Sequence, residues 1–116
     1  MSRLKAEVRA RGMTIFCHID HSAGAAAIGL SLRPADLLIF GAAKAGTPLM
    51  QLVNTTGIDL PLKALVWQDA AGETWLFYND PSWLAKRHEL RSETATVVAN
   101  MSAALNVVTK AATSPS

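Results

Sequence analysis

The densest run of side chains able to do chemistry in this 116-residue sequence is Cys17-His18-Ile19-Asp20-His21. Thiolate, imidazole and carboxylate all ligate transition metals, so the run invites a metal-site reading. Strand geometry thins it. In an extended chain His18 and Asp20 project to one side with Phe16, while Cys17 joins Ile15 and Ile19 on the other. His21 points away from His18 unless the chain turns after Asp20, the direction in which Ser22-Ala23-Gly24 points. Two ligands seldom make a site, and a third, such as His88, would have to come from elsewhere. Cys17 is expected to be a small buried hydrophobe. As the sole cysteine it excludes internal disulfides and zinc sites built on paired cysteines. His21 could instead be a general acid or base, with Asp20 or Asp59 orienting its ring, because imidazole titrates near pH 6.5. No Ser/His/Asp set can be assembled from spacing, and opposed strand faces argue against a Cys17–His21 nucleophile.

Two further groups carry polar chemistry. Gly41-Ala42-Ala43-Lys44-Ala45-Gly46 reads as a loop, with Thr47 as N-cap and Pro48 opening a helix. A phosphate-cradling Walker loop needs its lysine after the second glycine, and Lys44 precedes Gly46. A looser anion site remains, in which the Gly46 and Thr47 amides at a helix start act beside Lys44; an ordinary strand-to-helix loop is the plainer alternative. Tyr78-Asn79-Asp80-Pro81 reads as a strand exit followed by a capped helix, which explains Asp80 and Pro81. Tyr78 and Asn79, at a strand end, suit the orientation of a small polar ligand. Asp59 and Lys63 flank Pro61 and are spaced to form a weak surface ion pair.

The elements that must position these groups follow from periodicity. Ser2–Arg11 is predicted helical, stopped by Gly12, and Thr14–Asp20 is predicted as a strand. Ser22 is expected to cap a short helix or turn over Ala23–Ile28. Leu37–Phe40 suits a buried strand, and Leu49–Val53 carries the helix begun at Pro48. An extended link, Ile58–Pro61, leads into a hairpin of Leu62–Gln68 and Glu73–Tyr78 joined through Asp69-Ala70-Ala71-Gly72. Helices are then expected from Pro81 to Leu90, and from a Ser92 cap through the stripe Val97, Val98, Met101, Leu105 and Val108. The expected fold is α+β: a curved, mostly antiparallel sheet of at least four strands with helices packed on one face. Residues 1–112 form one domain and 113–116 a frayed tail.

Composition excludes several classes. Half the residues are hydrophobic and the net charge is only +2, which is incompatible with disorder. No apolar run approaches the roughly 20 residues of a membrane helix. Arg3, Lys5, Arg9 and Arg11 cluster at the start, yet Trp67, Trp75, Phe77 and Tyr78 lie in a cation-poor segment. Nucleic-acid surfaces interleave the two, so the basic cluster reads as a solvated helix face and no nucleic-acid or membrane partner is expected. Met1 leads straight into a charged helix pattern instead of a signal peptide, and a reducing cytoplasm suits Cys17.

In collinear order the chain resembles the bacterial and archaeal family called domain of unknown function 302. The matching stretches include Gly12–Phe16, Ile19–Ala25, Leu30–Pro34, Leu37–Gly41, Lys44–Met50, Gly57–Trp67 and Tyr78–Pro81. The resemblance implies a compact α+β fold and a dimer, but no established activity. It marks Asp20, His21, Lys44, Thr47, Asp59, Lys63, Tyr78, Asn79 and Asp80 as matching polar positions. Two departures stand out. Ala42-Ala43 replaces a common Asn-Pro, which weakens the case for that loop. The family also begins with a strand and a longer first helix, whereas this chain starts inside that helix. Either its start is misassigned, or its sheet is expected to lack a strand and expose a bare edge open to a second chain.

The leading expectation is a cytoplasmic, homodimeric, non-enzymatic module whose small polar or anionic ligand sits where Asp20/His21, Lys44 and Tyr78 meet. The alternatives are an enzyme using His21 and a structural or metal-binding domain.

Overall fold

The computed structural model describes residues 1–114. Helix α1 (Ser2–Ala10) buries Leu4 and Val8, one turn apart on one face. Gly12 ends it in the left-handed region at φ 76°, where a side chain would be strained, and the Met13 amide reaches back to the Val8 carbonyl at 3.2 Å. Strand β1 (Thr14–Asp20) leads into the short helix α2 (His21–Ala27), and β2 (Ala35–Gly41) leads into α3 (Ala43–Leu52). A 3-10 turn (Asn54–Ile58) precedes the hairpin of β3 (Leu62–Gln68) and β4 (Thr74–Tyr78). Helix α4 (Pro81–Arg87) follows, and a 3-10 turn at Ser92–Thr94 opens the long helix α5 (Ala95–Thr113). Of the tail expected to fray, Thr113 is the last residue of α5 and donates to the Thr109 carbonyl at 2.7 Å. Residues 115–116 lie outside the described residues.

The strands form one open sheet in the order β1-β2-β3-β4, every pair antiparallel. The fold is therefore mixed α+β. Directly paired residues share a face, so the register sorts the side chains. Ile15, Leu38, Phe40, Leu62, Ala64, Val66, Leu76 and Tyr78 point to one side, where they meet Leu4 and Val8 of α1, Leu49 of α3, Leu84 of α4 and the α5 stripe Val98, Met101, Leu105 and Val108. This is the core. The opposite face carries Cys17, Ile19, Leu37, Ile39, Lys63, Leu65, Trp67, Trp75 and Phe77, and none of these belongs to the core cluster or packs against it.

Five local expectations are corrected. A β-bulge at Phe16 shifts the β1 register, so Ile15 shares the core side with His18 and Asp20 while Cys17 and Ile19 face the other way. Cys17 is consequently exposed, not buried. Helix α3 starts at Ala43 with Ala42 as N-cap, leaving Thr47 and Pro48 inside it. The helix-forming run Ala42-Ala43-Lys44-Ala45 extends the helix backward past the expected start. Asp20, and not Ser22, caps α2: its carboxylate accepts from the Ala23 amide at 2.9 Å and the Ser22 hydroxyl at 2.7 Å. Finally, α4 stops at Arg87, short of Leu90, because Glu89 turns left-handed at φ 53° and the Leu90 amide closes onto the Ala85 carbonyl at 2.9 Å.

Candidate functional site

Eight of the nine polar positions divide between the two ends of the sheet. Asp20 pairs across the strands with Asp36, whereas Thr14, at the other end of β1, pairs with Gly41 just before α3. Six strand steps of about 3.3 Å separate the two ends by roughly 20 Å. Asp20 and His21 therefore do not meet Lys44. Tyr78 sits mid-sheet on the opposite edge strand, three strand spacings of about 4.8 Å from β1, and packs against the core, so the four-way convergence expected from sequence is not formed.

At the first end the polar groups serve local structure. The Asp20 carboxyl is held below the usual carboxylate range, first by the Ala23 amide and then by the Ser22 hydroxyl. His21 is exposed in the first turn of α2, far from Asp59, so neither carboxylate proposed to orient its ring does so. His18 pairs instead with Asp36 at 2.8 Å. Among the described residues no three of His, Cys, Asp and Glu gather as metal ligands, and His18 and His88 are occupied by different carboxylates.

Of the other seven positions, Tyr78 stands mid-sheet in the row of Ala64, Leu38 and His18, and six lie towards the second end, on separate walls. Asp59 accepts from Arg87 at 2.9 Å and pairs with His88 Nε2 at 2.6 Å, so the expected Asp59–Lys63 ion pair gives way to a three-residue cluster. Lys63 donates to the Pro61 carbonyl at 3.3 Å. The His88 side chain is only 7% exposed and Asp59 14%. Thr55 Oγ1 lies 3.2 Å from His88 Nδ1. The Asp59 carboxylate can only accept, so Nε2 donates to it, while Nδ1 and the Thr55 hydroxyl share the second hydrogen bond in the direction that the ring tautomer sets. The same bonds clamp the 3-10 turn to the end of α4, and the Arg87 guanidinium lies 5.7 Å from the Trp83 ring centroid. Asp59, Lys63 and Asn79 share a cleft of about 20 Å³ with Trp83, room for about one water. Sequence reasoning could not find this cluster, because Asp59 and His88 are 29 residues apart and neither belongs to a spaced motif.

Tyr78 packs against the core, which removes it from a ligand-facing role. Asp80 caps α4 by accepting from the Ser82 amide at 2.9 Å, and Ser102 of α5 donates to the same oxygen at 3.1 Å. Thr47 is exposed on α3, and the Gly46 amide is spent on the Ala42 carbonyl at 3.1 Å, which ends the anion site imagined at Gly46-Thr47.

Lys44 stands elsewhere, at the rim of a cavity of about 360 Å³ between the start of α3 and α5. Met13, Ala45, Leu60, Val97 and Ala104 form apolar walls, and Asn100 is the second polar group at the mouth. Gly46 keeps the floor low: a Cβ there would come 3.4 Å from Leu60 Cδ1. Leu62 lines both this cavity and the Asp59 cleft, so the two features adjoin.

Residues 1–108 match the family model described as "Domain of unknown function DUF302". The chain belongs to the DUF302 family. Its fold is similar to that of an uncharacterized conserved DUF302 protein from Bacillus stearothermophilus, with a TM-score of 0.84 over 96% of this chain and 86% of that one at 17% identity. That likeness concerns the fold alone. In sequence this DUF302 domain is 44% identical over 110 residues to a protein of Brucella suis biovar 1 named "Fluoride-specific ion channel FluC 1", covering 95% of this chain and 43% of that protein. A protein of Brucella melitensis biotype 1 named "Fluoride-specific ion channel FluC 2" matches at the same identity over 41% of its length. The chain thus spans less than half of these channel-named relatives. No described helix of the DUF302 domain is long and apolar enough to cross a membrane.

Proposed function

We propose that this DUF302 domain binds a small amphipathic anion in the cavity beside Lys44. The observation that carries this is the combination of about 360 Å³ of apolar-walled space with one cation and one amide at its mouth. Ligand sites of that size are generally apolar concavities in which a few polar groups fix orientation. An alkyl or aryl tail would fill the space between Leu60 and Val97 while a carboxylate stays at the mouth near Lys44. The reading keeps the anion expected from sequence and moves it away from Asp20 and His21. Calorimetric titration with octanoate tests it. Lys44→Ala should weaken binding several-fold, and Ala104→Phe, which fills the cavity from α5, should abolish it. Octanoate heats that are absent, or equal in all three proteins, would discard the reading.

The channel-named relatives favour a second reading, in which the domain works alongside a fluoride channel. Its support is 44% identity over nearly the whole chain to a portion of proteins that carry that name. Lacking a membrane-crossing helix among its described residues, the domain would act on a channel and not form its pore. Fluoride efflux from liposomes containing a purified FluC channel, with and without added domain, tests this. A changed efflux rate supports it; unchanged efflux with no co-sedimentation disposes of it.

A further inference from the structure

The uncovered face of the sheet is the largest feature that the preceding site leaves unused. Its central row runs the full width: Ile19 pairs with Leu37, Leu37 with Leu65, and Leu65 with Phe77. Trp67 and Trp75 make the row on one side, and Ile39 with Lys63 the row on the other. Phe77 is 63% exposed, Trp75 50% and Ile19 37%.

We propose that this face is where a second copy of the chain docks, sheet on sheet, about a two-fold axis. Area is the first argument. Four strands about 4.8 Å apart, rising about 3.3 Å per residue, make a face of roughly 20 by 20 Å. Leu32 beside Trp67 extends it towards the roughly 800 Å² per partner that a standard interface buries. Shape is the second. A two-fold operation lays the central row of one copy on that of the other, and sheets pack face to face at about 10 Å when both inner faces are apolar. Charge is the third. Lys63 is the single cationic side chain in the paired rows, at one border beside Ile39 and Cys17, whereas an anionic lipid surface selects a ring of cations. The interface differs from the edge-to-edge contact expected from sequence, because it uses β4 as much as β1.

Sedimentation equilibrium on the whole chain provides the test, with Phe77→Lys and Ile19→Lys as variants. Both side chains are exposed in the single chain and lie outside the core, so the variants keep the fold, as unchanged far-ultraviolet dichroism will show. The wild type should have twice the mass of the chain, and each variant should dissociate at least about tenfold more readily because it buries an unpaired charge. Trp67 and Trp75 should become more accessible to acrylamide in the variants. A wild type with the mass of one chain at every concentration overturns the proposal. So does a dimer that survives Phe77→Lys but not Ile19→Lys, since that pattern assigns the contact to the β1 edge. A monomer that co-sediments with anionic phosphatidylglycerol vesicles overturns it in favour of a lipid surface.

Discussion

At the scale of single residues, carboxylates hold this chain together locally more than they line a site. Asp80 shows how. Its carboxyl sits below the ordinary carboxylate range chiefly because the Ser82 amide donates to it, with the Ser82 and Ser102 hydroxyls adding to the effect. A depressed folded pKa means that Asp80 contributes stability above the unfolded value near 3.9 and loses it as pH falls through the folded value. Asp80→Ala should cost about 1 kcal/mol in urea denaturation at pH 7, and the gap from wild type should narrow below about pH 4. His88 is the converse case. Removing its ring leaves a mostly buried Asp59 with Arg87 alone, so His88→Ala should cost about 2 kcal/mol, measured in the same way. Asp80 was legible in the sequence because capping is written into adjacent residues, and Asp80-Pro81 carries its own signature. The Asp59–His88 pair was not, because it exists only after the hairpin between them folds back. The same limit misplaced Asp20 and His21: their types promised chemistry, but nothing local records that β1 carries them to the far end of the sheet.

At the scale of elements, what periodicity could see was seen. The hairpin, the Gly12 stop, the Asp80-Pro81 helix start and the α5 stripe all stand where the spacing of apolar and turn residues puts them. The differences are all shifts of a boundary or a phase. One extra residue at Phe16 reverses which half of β1 faces the core, and no propensity marks a bulge. Pro48 suits a helix start, yet Ala43, Lys44 and Ala45 before it outweigh the hydrogen bond it cannot donate. Glu89 ends α4 in a conformation for which the sequence offers no glycine. That position gives a prediction. An L-residue in the left-handed region costs roughly 1–2 kcal/mol, and glycine returns part of this as extra unfolded-state entropy. Glu89→Gly should therefore stabilise the protein by about 0.5–1 kcal/mol, read as a raised urea midpoint with an unchanged slope.

At the scale of the whole molecule, the fold is two layers with one interior. Helices α1 and α5 close one side of the sheet, and Arg3 near the start of α1 donates to the Ala111 carbonyl near the end of α5 at 3.0 Å, so the two ends of the chain lock that layer. The cavity beside Lys44 belongs to the closed side, and the apolar rows through Leu37 and Leu65 to the open one. Composition could announce enough apolar residues for a core, but could not divide them between the two faces of one sheet; only the register does that. The division makes stability depend on protein concentration. If a second copy covers the open face, the native state is coupled to association by mass action, and the melting temperature should rise as the protein is concentrated. Each tenfold increase adds up to about 1.4 kcal/mol per mole of dimer, a shift of a few degrees for a chain of this size. Phe77→Lys should melt at one temperature across the series, and octanoate should raise that temperature as it does for the wild type. Melting curves independent of concentration in the wild type would leave the open face without a second copy, while a variant that still tracks concentration would move the contact off this face.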